Sequence, residues 1–148
     1  MAITNENRGY RRIAGAWGTL HWDGDPVFEV TECNADLDAE RGDVQIGLDV
    51  DSKITGLKGS GSFKVQHVYT RGIKKLTDAY RKGHDPRSVL SLALNDPDAV
   101  GGQRERVNLG NVWFNKINFI NFTKTEMVEK TFEFGYTLSD SDIAEGIY

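Results

Sequence analysis

The sequence predicts a mainly β fold, a β-sandwich or barrel-like sheet with one packed α-helix at about residues 71–82. Apolar and polar residues alternate with period two along most of the chain, which is the pattern of half-buried strands. Helical spacing occurs once, at Ile73, Leu76 and Tyr80, with charged residues on the opposite side. Turn signals such as Asp23-Gly24 separate the periodic runs. We therefore expect about seven or eight strands, placed before and after the helix in the sequence.

The length of 148 residues is that of one domain. Residues 1–15 are polar and basic without periodicity, and we interpret them as an N-terminal arm. Residues 16–138 hold the periodic runs and form the expected β-domain. Residues 139–148 are acidic and polar as far as residue 146, which indicates a C-terminal tail.

The first strands are predicted on either side of a tight turn, at residues 16–22 and 27–30. Asp23-Gly24 between them suits a type I′ turn, because both central residues of that turn need positive φ. The second strand is expected to continue to about residue 37, before a charged stretch. Residues 44–50 then predict another half-buried strand, with these apolar residues on one side: Val44, Ile46, Leu48 and Val50.

A segment rich in glycine and serine follows at residues 52–62. We expect a mobile loop there, since loops of about twelve residues or more in a compact domain are commonly functional or disordered. The next strand begins at Phe63, whose alternation with Lys64 predicts one buried face.

The ends of the predicted helix are marked by residues that favour helix boundaries. Thr70 is the expected N-cap, because its hydroxyl can accept a hydrogen bond from a free N–H group. Gly83 can adopt the left-handed conformation just after the helix, and Asp85-Pro86 prevents its continuation.

Strands are also predicted after the helix, at residues 89–94, 104–114, 117–122 and 126–138. The last of these has one strongly apolar face, made of Phe132, Phe134, Tyr136 and Leu138. Its other face carries Glu129, Thr131 and Glu133.

Bulk properties argue against several classes of protein. The formal net charge of −4 is unlike that of a protein whose main role is to bind nucleic-acid phosphates. The single cysteine, Cys33, excludes an internal disulfide and suits a reducing compartment. Neither a membrane-spanning apolar run nor a signal-peptide core is found, so we expect a soluble protein made in the cytoplasm that does not bind membranes.

No convincing catalytic, metal-binding or cofactor-binding motif is present, and we expect no enzymatic activity. Residues 56–62 superficially resemble a phosphate-binding loop, but they lack the Gly-Lys-Ser/Thr ending and run into a strand. The three histidines lack zinc spacing, and no Asp-X-Asp pair continues into a calcium loop. What stands out instead is apolar surface at residues such as Ile120 and Phe122, which commonly marks association.

Several short motifs occur in a specific order within residues 16–138. They are Gly18-Thr19-Leu20 before Asp23-Gly24, the charged stretch 36–43 before Val44-Gln45-Ile46-Gly47, the run Gly56-Leu57-Lys58-Gly59-Ser60-Gly61-Ser62-Phe63, the helix end Lys82-Gly83-His84-Asp85-Pro86, and Arg104-Glu105-Arg106-Val107-Asn108-Leu109 before Val112-Trp113-Phe114. Together they resemble the tail-tube proteins of contractile-tailed phages, defective prophages and phage-derived (R-type) bacteriocins, in particular the group of Gram-positive hosts.

The resemblance implies a structural subunit that forms hexameric rings, with sheets joined edge to edge and rings stacked into a hollow tube for DNA or ions. The implied partners are other copies, a tail sheath, tail initiator or baseplate proteins and a terminator, with DNA only as passing cargo. The implied location is the host bacterial cytoplasm during synthesis and then the phage tail or bacteriocin particle.

The resemblance also implies roles for particular residues. The inter-ring contact loop, which would become ordered on assembly, is Ser52, Lys53, Ile54, Thr55, Gly56, Leu57, Lys58, Gly59, Ser60, Gly61 and Ser62. The outer helix would meet the sheath through Lys74, Lys75, Arg81 and Lys82. The candidates for the lining of the lumen are Glu129, Thr131 and Glu133.

Two alternatives remain open at the level of sequence. One is a small β-barrel ligand-binding or enzymatic domain with the glycine-rich segment as a lid. The other is the tube protein of a type VI-like secretion machine, which would share the architecture.

Overall fold

The structure is a computed structural model that describes Thr4 and residues 8–148. Its strands are β1 (Gly18–Trp22), β2 (Asp25–Pro26), β3 (Val30–Ile46), β4 (Asp49–Gln66), β5 (Ser88–Leu94), β6 (Glu105–Ile117), β7 (Glu129–Tyr136) and β8 (Ser141–Glu145). The α-helix α1 (Ile73–Arg81) lies between β4 and β5. Short 3-10 helices in the described part of the chain occupy Gly9–Arg11, Gly15–Trp17, Val100–Gly102 and Leu138–Asp140.

All eight strands that the structure describes belong to one antiparallel sheet that does not close. The order across the sheet is β2-β1-β5-β6-β7-β4-β3, and β8 pairs with β6 beside the end of β7. The sheet curls, as the distance of 6.0 Å between the rings of Trp22 on β1 and Phe63 on β4 shows, since three strands lie between β1 and β4 in the sheet. The prediction of a mainly β, barrel-like sheet with one packed helix is confirmed.

The core lies on the concave side of the sheet and is rich in aromatic rings. Phe63 stacks on Phe132 at 4.9 Å between centroids, and both rings contact Trp22. The helix closes this core with Ile73 and Leu76, which are 5% and 3% exposed. Burial of this much aromatic and aliphatic surface is the main stabilising contribution to the fold.

The turn predicted at Asp23-Gly24 is confirmed, with φ of 51° and 86° at its two central residues. The strand after it is shorter than expected, since β2 covers only Asp25–Pro26 and pairing resumes at Val30. Val27 still donates a backbone hydrogen bond of 2.9 Å to the Leu20 carbonyl, and its side chain is buried in the core at 3% exposure. A turn at residues 28 and 29 then interrupts the predicted strand before β3 begins.

The half-buried strand predicted at residues 44–50 is wrong, because these residues form the tip of a long β3–β4 hairpin. β3 continues through the charged stretch to Ile46, and β4 begins at Asp49. Gly47 makes the turn with φ of 62°. The alternation is real, yet no other element covers its apolar side, and Leu48 is fully exposed.

The mobile loop predicted at residues 52–62 is also wrong, because these residues lie within β4 and pair with β3. Two of the glycines serve close packing. A Cβ on Gly59 would lie 2.5 Å from the Tyr136 ring, and a Cβ on Gly61 would lie 2.3 Å from the Asn34 carbonyl oxygen. These glycines therefore let a neighbouring ring and strand approach the backbone. Close approach of this kind is a common reason for glycine within a strand, apart from flexibility.

The helix is two residues later at its start than predicted, and its N-cap is Gly72 with φ of 55°. The prediction of Thr70 as the N-cap is therefore wrong. A Cβ on Gly72 would lie 3.2 Å from the Trp22 ring, so the tight packing of that ring accounts for the glycine. Gly83 has φ of 78° just after the helix, as expected for a left-handed helix end.

The later strands differ from the prediction mainly in their ends. β6 extends to Ile117, and the strand expected at 117–122 is wrong, because residues 118–128 form the β6–β7 loop. β7 runs from Glu129 to Tyr136, with Phe132, Phe134 and Tyr136 buried as predicted. The expected C-terminal tail contains β8, which pairs with β6.

Part of the predicted N-terminal arm, residues 1–3 and 5–7, lies outside the described residues. The rest is tied to the domain, since the Ala14 amide donates a hydrogen bond of 3.0 Å to the buried Asp96 carboxylate. The division of the chain at residues 15 and 138 stays a prediction.

Candidate assembly surfaces

The long strand β3 forms one edge of the sheet. Among the described residues, β3 pairs with β4 alone, so its other side presents unpaired backbone N–H and C=O groups. Such an edge is a template for pairing with another chain unless it is protected. The other side of the sheet ends at the short β2, and β8 is paired only on the side of β6.

The outer half of the β3–β4 hairpin projects beyond the rest of the sheet. Gly59 of β4 lies opposite both Leu37 and Tyr136, and Tyr136 is the last residue of β7. Beyond that point neither strand has another neighbour in the sheet. At 3.3 Å per residue, the projecting part is roughly 30–35 Å long.

One face of the projecting hairpin carries apolar side chains that nothing covers. Cys33 and Ala35 of β3 pack against the core, and by alternation Leu37 and Ala39 continue the same face. On β4, Leu57 lies opposite Ala39, and Ile54 lies opposite Arg41, the next residue of β3 on this face. We name this surface the hairpin root patch, and its members are Leu37, Ala39, Ile54 and Leu57. Its three large side chains are between 45% and 48% exposed.

A second apolar surface lies at the opposite end of the sheet, in the β6–β7 loop of residues 118–128, which we name the end loop. It adjoins Glu129, which pairs with the last residue of β4, Gln66. The buried Lys130 side chain holds the loop by donating a hydrogen bond of 3.1 Å to the Phe119 carbonyl. The large apolar side chains of this loop are more than 60% exposed, and they are Phe119, Ile120, Phe122 and Met127.

The predicted site residues fall on three separate surfaces. Those at 52–62 run along β4, from the projecting hairpin into the sheet. The cations Lys74, Lys75, Arg81 and Lys82 are exposed on α1 and just after it. Glu129 and Glu133 of β7 are exposed on the convex face, away from the aromatic core. Thr131 lies between them and is partly exposed.

Two ionisable groups inside the domain have shifted pKa values. The Arg71 guanidinium donates two hydrogen bonds to the Glu29 carboxylate, which is 5% exposed, and this contact lowers the pKa of Glu29. Burial raises the pKa of the Cys33 thiol to about 12. Cys33 lines a cavity of about 490 Å³ between β1 and β3, where the two ends of the curled sheet approach each other. A thiol with this pKa is protonated at neutral pH and is a poor nucleophile.

In the part of the chain that the structure describes, no group of three or more His, Cys, Asp or Glu side chains could hold a metal ion. None of the helices described is long and apolar enough to span a bilayer.

Comparison with known proteins identifies the family. The sequence model of a family described as phage tail tube protein matches residues 6–145. The chain belongs to the phage tail tube protein family. The resemblance read from the sequence motifs is thereby confirmed.

Relatives of this tail tube protein include the phage-like element PBSX protein XkdM of Bacillus subtilis (strain 168). The two are 28% identical over 148 residues, which cover 98% of this chain and 96% of the relative.

Solved structures with low sequence identity share the fold of this tail tube protein. A chain from the tube-terminating cap of the anti-feeding prophage has a TM-score of 0.70 at 9% identity, with 99% of this chain and 95% of that chain covered. A chain from the extended sheath-tube complex of an extracellular contractile injection system, PVC, has a TM-score of 0.68 at 7% identity, with 97% and 100% covered.

Some of the candidate assembly surfaces of this tail tube protein were predicted from the sequence, and others were not. Ile120 and Phe122 were singled out as exposed apolar residues, and both are exposed. Residues 52–62 and the flanking strand were interpreted as an arm, and the structure places these residues in a hairpin that also includes half of β3. Gly47 is the turn signal that could have located the hairpin tip.

Proposed function

We propose that this tail tube protein forms closed rings of six copies that stack into the hollow inner tube of a contractile phage tail or of a phage-tail-like bacteriocin. The observation that carries the proposal is the free edge of β3, together with the hairpin that projects from the same strand. A heterologous contact that closes gives a ring, and one that stays open along the axis gives a filament.

Within a ring, the unpaired edge of β3 would contact the other side of the sheet of the adjacent copy, where β2 and β8 lie. Backbone hydrogen bonds across such a contact would extend one sheet into the next. Six such contacts would close a continuous inner barrel, with no sheet edge left exposed to other proteins.

Between rings, the projecting hairpin is the proposed contact. Residues 52–62 supply its β4 side, so their inter-ring role remains part of the proposal. Because these residues are paired with β3, the idea that they become ordered only on assembly is not retained. The hairpin would instead reach the next ring as a preformed arm, which lowers the entropic cost of binding.

The proposed wall of the channel is the convex face that carries Glu129, Thr131 and Glu133. Carboxylates on this wall would repel nucleic-acid phosphates and let DNA pass without binding. Two cations share this face, since Lys116 lies opposite Glu133 and Lys64 lies opposite Thr131 in the ladder, and they reduce the repulsion.

The outer surface of the tube is the proposed place of α1. Lys74, Lys75, Arg81 and Lys82 would contact an acidic surface of a tail sheath, while baseplate or initiator and terminator proteins would bind the two ends of the tube. The neighbours from a tube-terminating cap and a sheath-tube complex support this assignment of partners. Synthesis in the bacterial cytoplasm and assembly into the particle follow from the same proposal.

Negative-stain electron microscopy of the concentrated protein tests the proposal, with native mass spectrometry on the same sample. We expect rings or tubes of uniform width and a mass of six copies. A monomer that also fails to join purified tail fragments would contradict it and would favour the ligand-binding alternative. The presence or absence of DNA in particles purified from the host would then separate a phage from a DNA-free particle.

A further inference from the structure

We propose that the end loop of one copy covers the hairpin root patch of the next copy along the tube, so that the apolar core of each subunit is continued by its neighbour. This inference rests on the proposed function and names the two surfaces that meet between rings.

The two surfaces lie at opposite ends of the same sheet. The root patch begins where β7 ends at Tyr136, and the end loop adjoins the start of β7 at Glu129. A copy moved along the strand direction by about the length of its own sheet would therefore bring its end loop to the root patch of the first copy. Such a contact is heterologous and repeats without limit, as a filament requires.

The projecting hairpin is longer than the paired part of the sheet from which it extends. The part of β4 that pairs with β7, from Gly59 to Gln66, spans roughly 25 Å, whereas the projecting hairpin spans roughly 30–35 Å. When copies stack end to end, the tip must pass beside the next sheet. The root is then the part of the hairpin that faces the end of that sheet, where the end loop lies.

The two surfaces are also chemically complementary, because both are apolar. The root patch is the uncovered continuation of the core-facing side of β3 and β4, beyond Cys33 and Ala35. The end loop offers two phenylalanines, an isoleucine and a methionine, all more than 60% exposed. Large side chains of this kind bind flat apolar surfaces well, and methionine adapts to irregular ones.

The contact is small for one pair of copies. Two partly exposed phenylalanines and their neighbours offer a few hundred Å² per copy, below the roughly 800 Å² per partner of a stable complex. Single copies would therefore separate easily, while a ring that repeats the contact would gain avidity. Rings, and not monomers, are the units expected to stack.

Photo-cross-linking tests the position of the contact directly. A benzophenone is attached at Leu57→Cys, and a matched control carries it at the adjacent Lys58→Cys, on the opposite face of the hairpin. Equal amounts of ¹⁵N-labelled and unlabelled protein are mixed at high concentration, so that mass spectrometry identifies cross-links between copies. We expect the Leu57→Cys probe to react with residues 118–128 of another copy, and the Lys58→Cys probe to give roughly fivefold fewer such cross-links because it faces away.

A second experiment asks whether the contact is needed for stacking. Ile120→Asp places a charge on the end loop, and Val89→Asp does so at an exposed apolar residue of β5, away from both surfaces. We expect Ile120→Asp to leave single rings and Val89→Asp to leave tubes of normal length. Because both side chains are exposed, thermal unfolding midpoints should match that of the wild type.

The outcomes separate this inference from the proposed function. Normal tubes from Ile120→Asp, or Leu57→Cys cross-links that avoid residues 118–128, would overturn the inference and leave the tube proposal standing. Absence of rings and tubes in the wild type would contradict the tube proposal. Cross-linking of the same concentrated protein would still decide whether the two surfaces meet.

Discussion

Replacement of Gly61 by alanine distinguishes a packed strand from a mobile loop by the sign of its effect. In a flexible loop, Gly→Ala stabilises by about 0.4–1 kcal/mol, because alanine restricts the unfolded chain. In the structure, a Cβ on Gly61 would lie 2.3 Å from the Asn34 carbonyl oxygen and 2.6 Å from the Phe134 ring. Neither atom belongs to a flexible side-chain end, so the backbone or the buried ring must move.

The expected cost of Gly61→Ala is about 1–3 kcal/mol, the usual range for overpacking of a core. Because 1 kcal/mol shifts Tm by about 2–4 °C in a domain of this size, Tm should fall by several degrees. Urea unfolding followed by circular dichroism measures the free energy of unfolding, and the slope with urea shows whether the transition stays two-state.

Gly56→Ala is the matched control on the same strand. A Cβ there would lie 3.4 Å from the Glu40 side chain, an ordinary contact, and the free energy of unfolding should change by less than about 0.5 kcal/mol. A Gly61→Ala variant as stable as the wild type, or more stable, would refute close packing at Gly61 and would favour the prediction of a mobile loop.

Three further predictions concern the interior of the domain. Phe132→Asp should lower the free energy of unfolding by about 3–5 kcal/mol or more, because a 3% exposed ring is lost and a charge is buried. Glu133→Gln, on the other face of β7, should leave the free energy of unfolding nearly unchanged in the same urea assay. Glu29→Gln should cost about 3 kcal/mol at pH 7, because it leaves the Arg71 guanidinium without its buried carboxylate. Since the pKa of Glu29 is lowered from 4.5, its contribution is complete above pH 4.5 and is lost as pH falls through the folded-state value, so variant and wild type should converge in urea midpoint at low pH. The Cys33 thiol, with its pKa raised to about 12, should react with a thiol reagent at pH 8 far more slowly in the folded protein than in urea, and equal rates would contradict its burial.

The sequence was a good guide wherever an apolar face is buried within the chain itself. The alternation at Phe132, Phe134 and Tyr136 predicted the facing of β7, because that face packs on the subunit's own core. The turn at Asp23-Gly24 was equally readable, since its chemistry is local.

The same reasoning failed where an apolar face has no cover in the chain. Val44, Ile46 and Val50 alternate like a buried strand, yet all are exposed at the hairpin tip. Periodicity reports that a face is apolar and says nothing about whether the same chain or another copy covers it. For this protein, the misread residues and the candidate assembly surfaces largely coincide.

The structure of residues 52–62 was harder to predict than the rest of the fold for a related reason. Glycine favours both flexible loops and close packing, and only the positions of the Tyr136 and Phe134 rings decide between these uses at Gly59 and Gly61. Such long-range contacts are set by strand register, which the local pattern does not contain.

The way in which β4 joins the sheet bears on the mechanical strength of a tube. If the hairpin of each copy is held by the next ring, tension along the axis pulls β4 parallel to β7. The ladder from Gly59–Tyr136 to Gln66–Glu129 then resists in shear, because its hydrogen bonds lie perpendicular to the pull and share the load at once. A tube built in this way would resist stretching when a surrounding sheath shortens, whereas a peeling geometry would break the same bonds one after another.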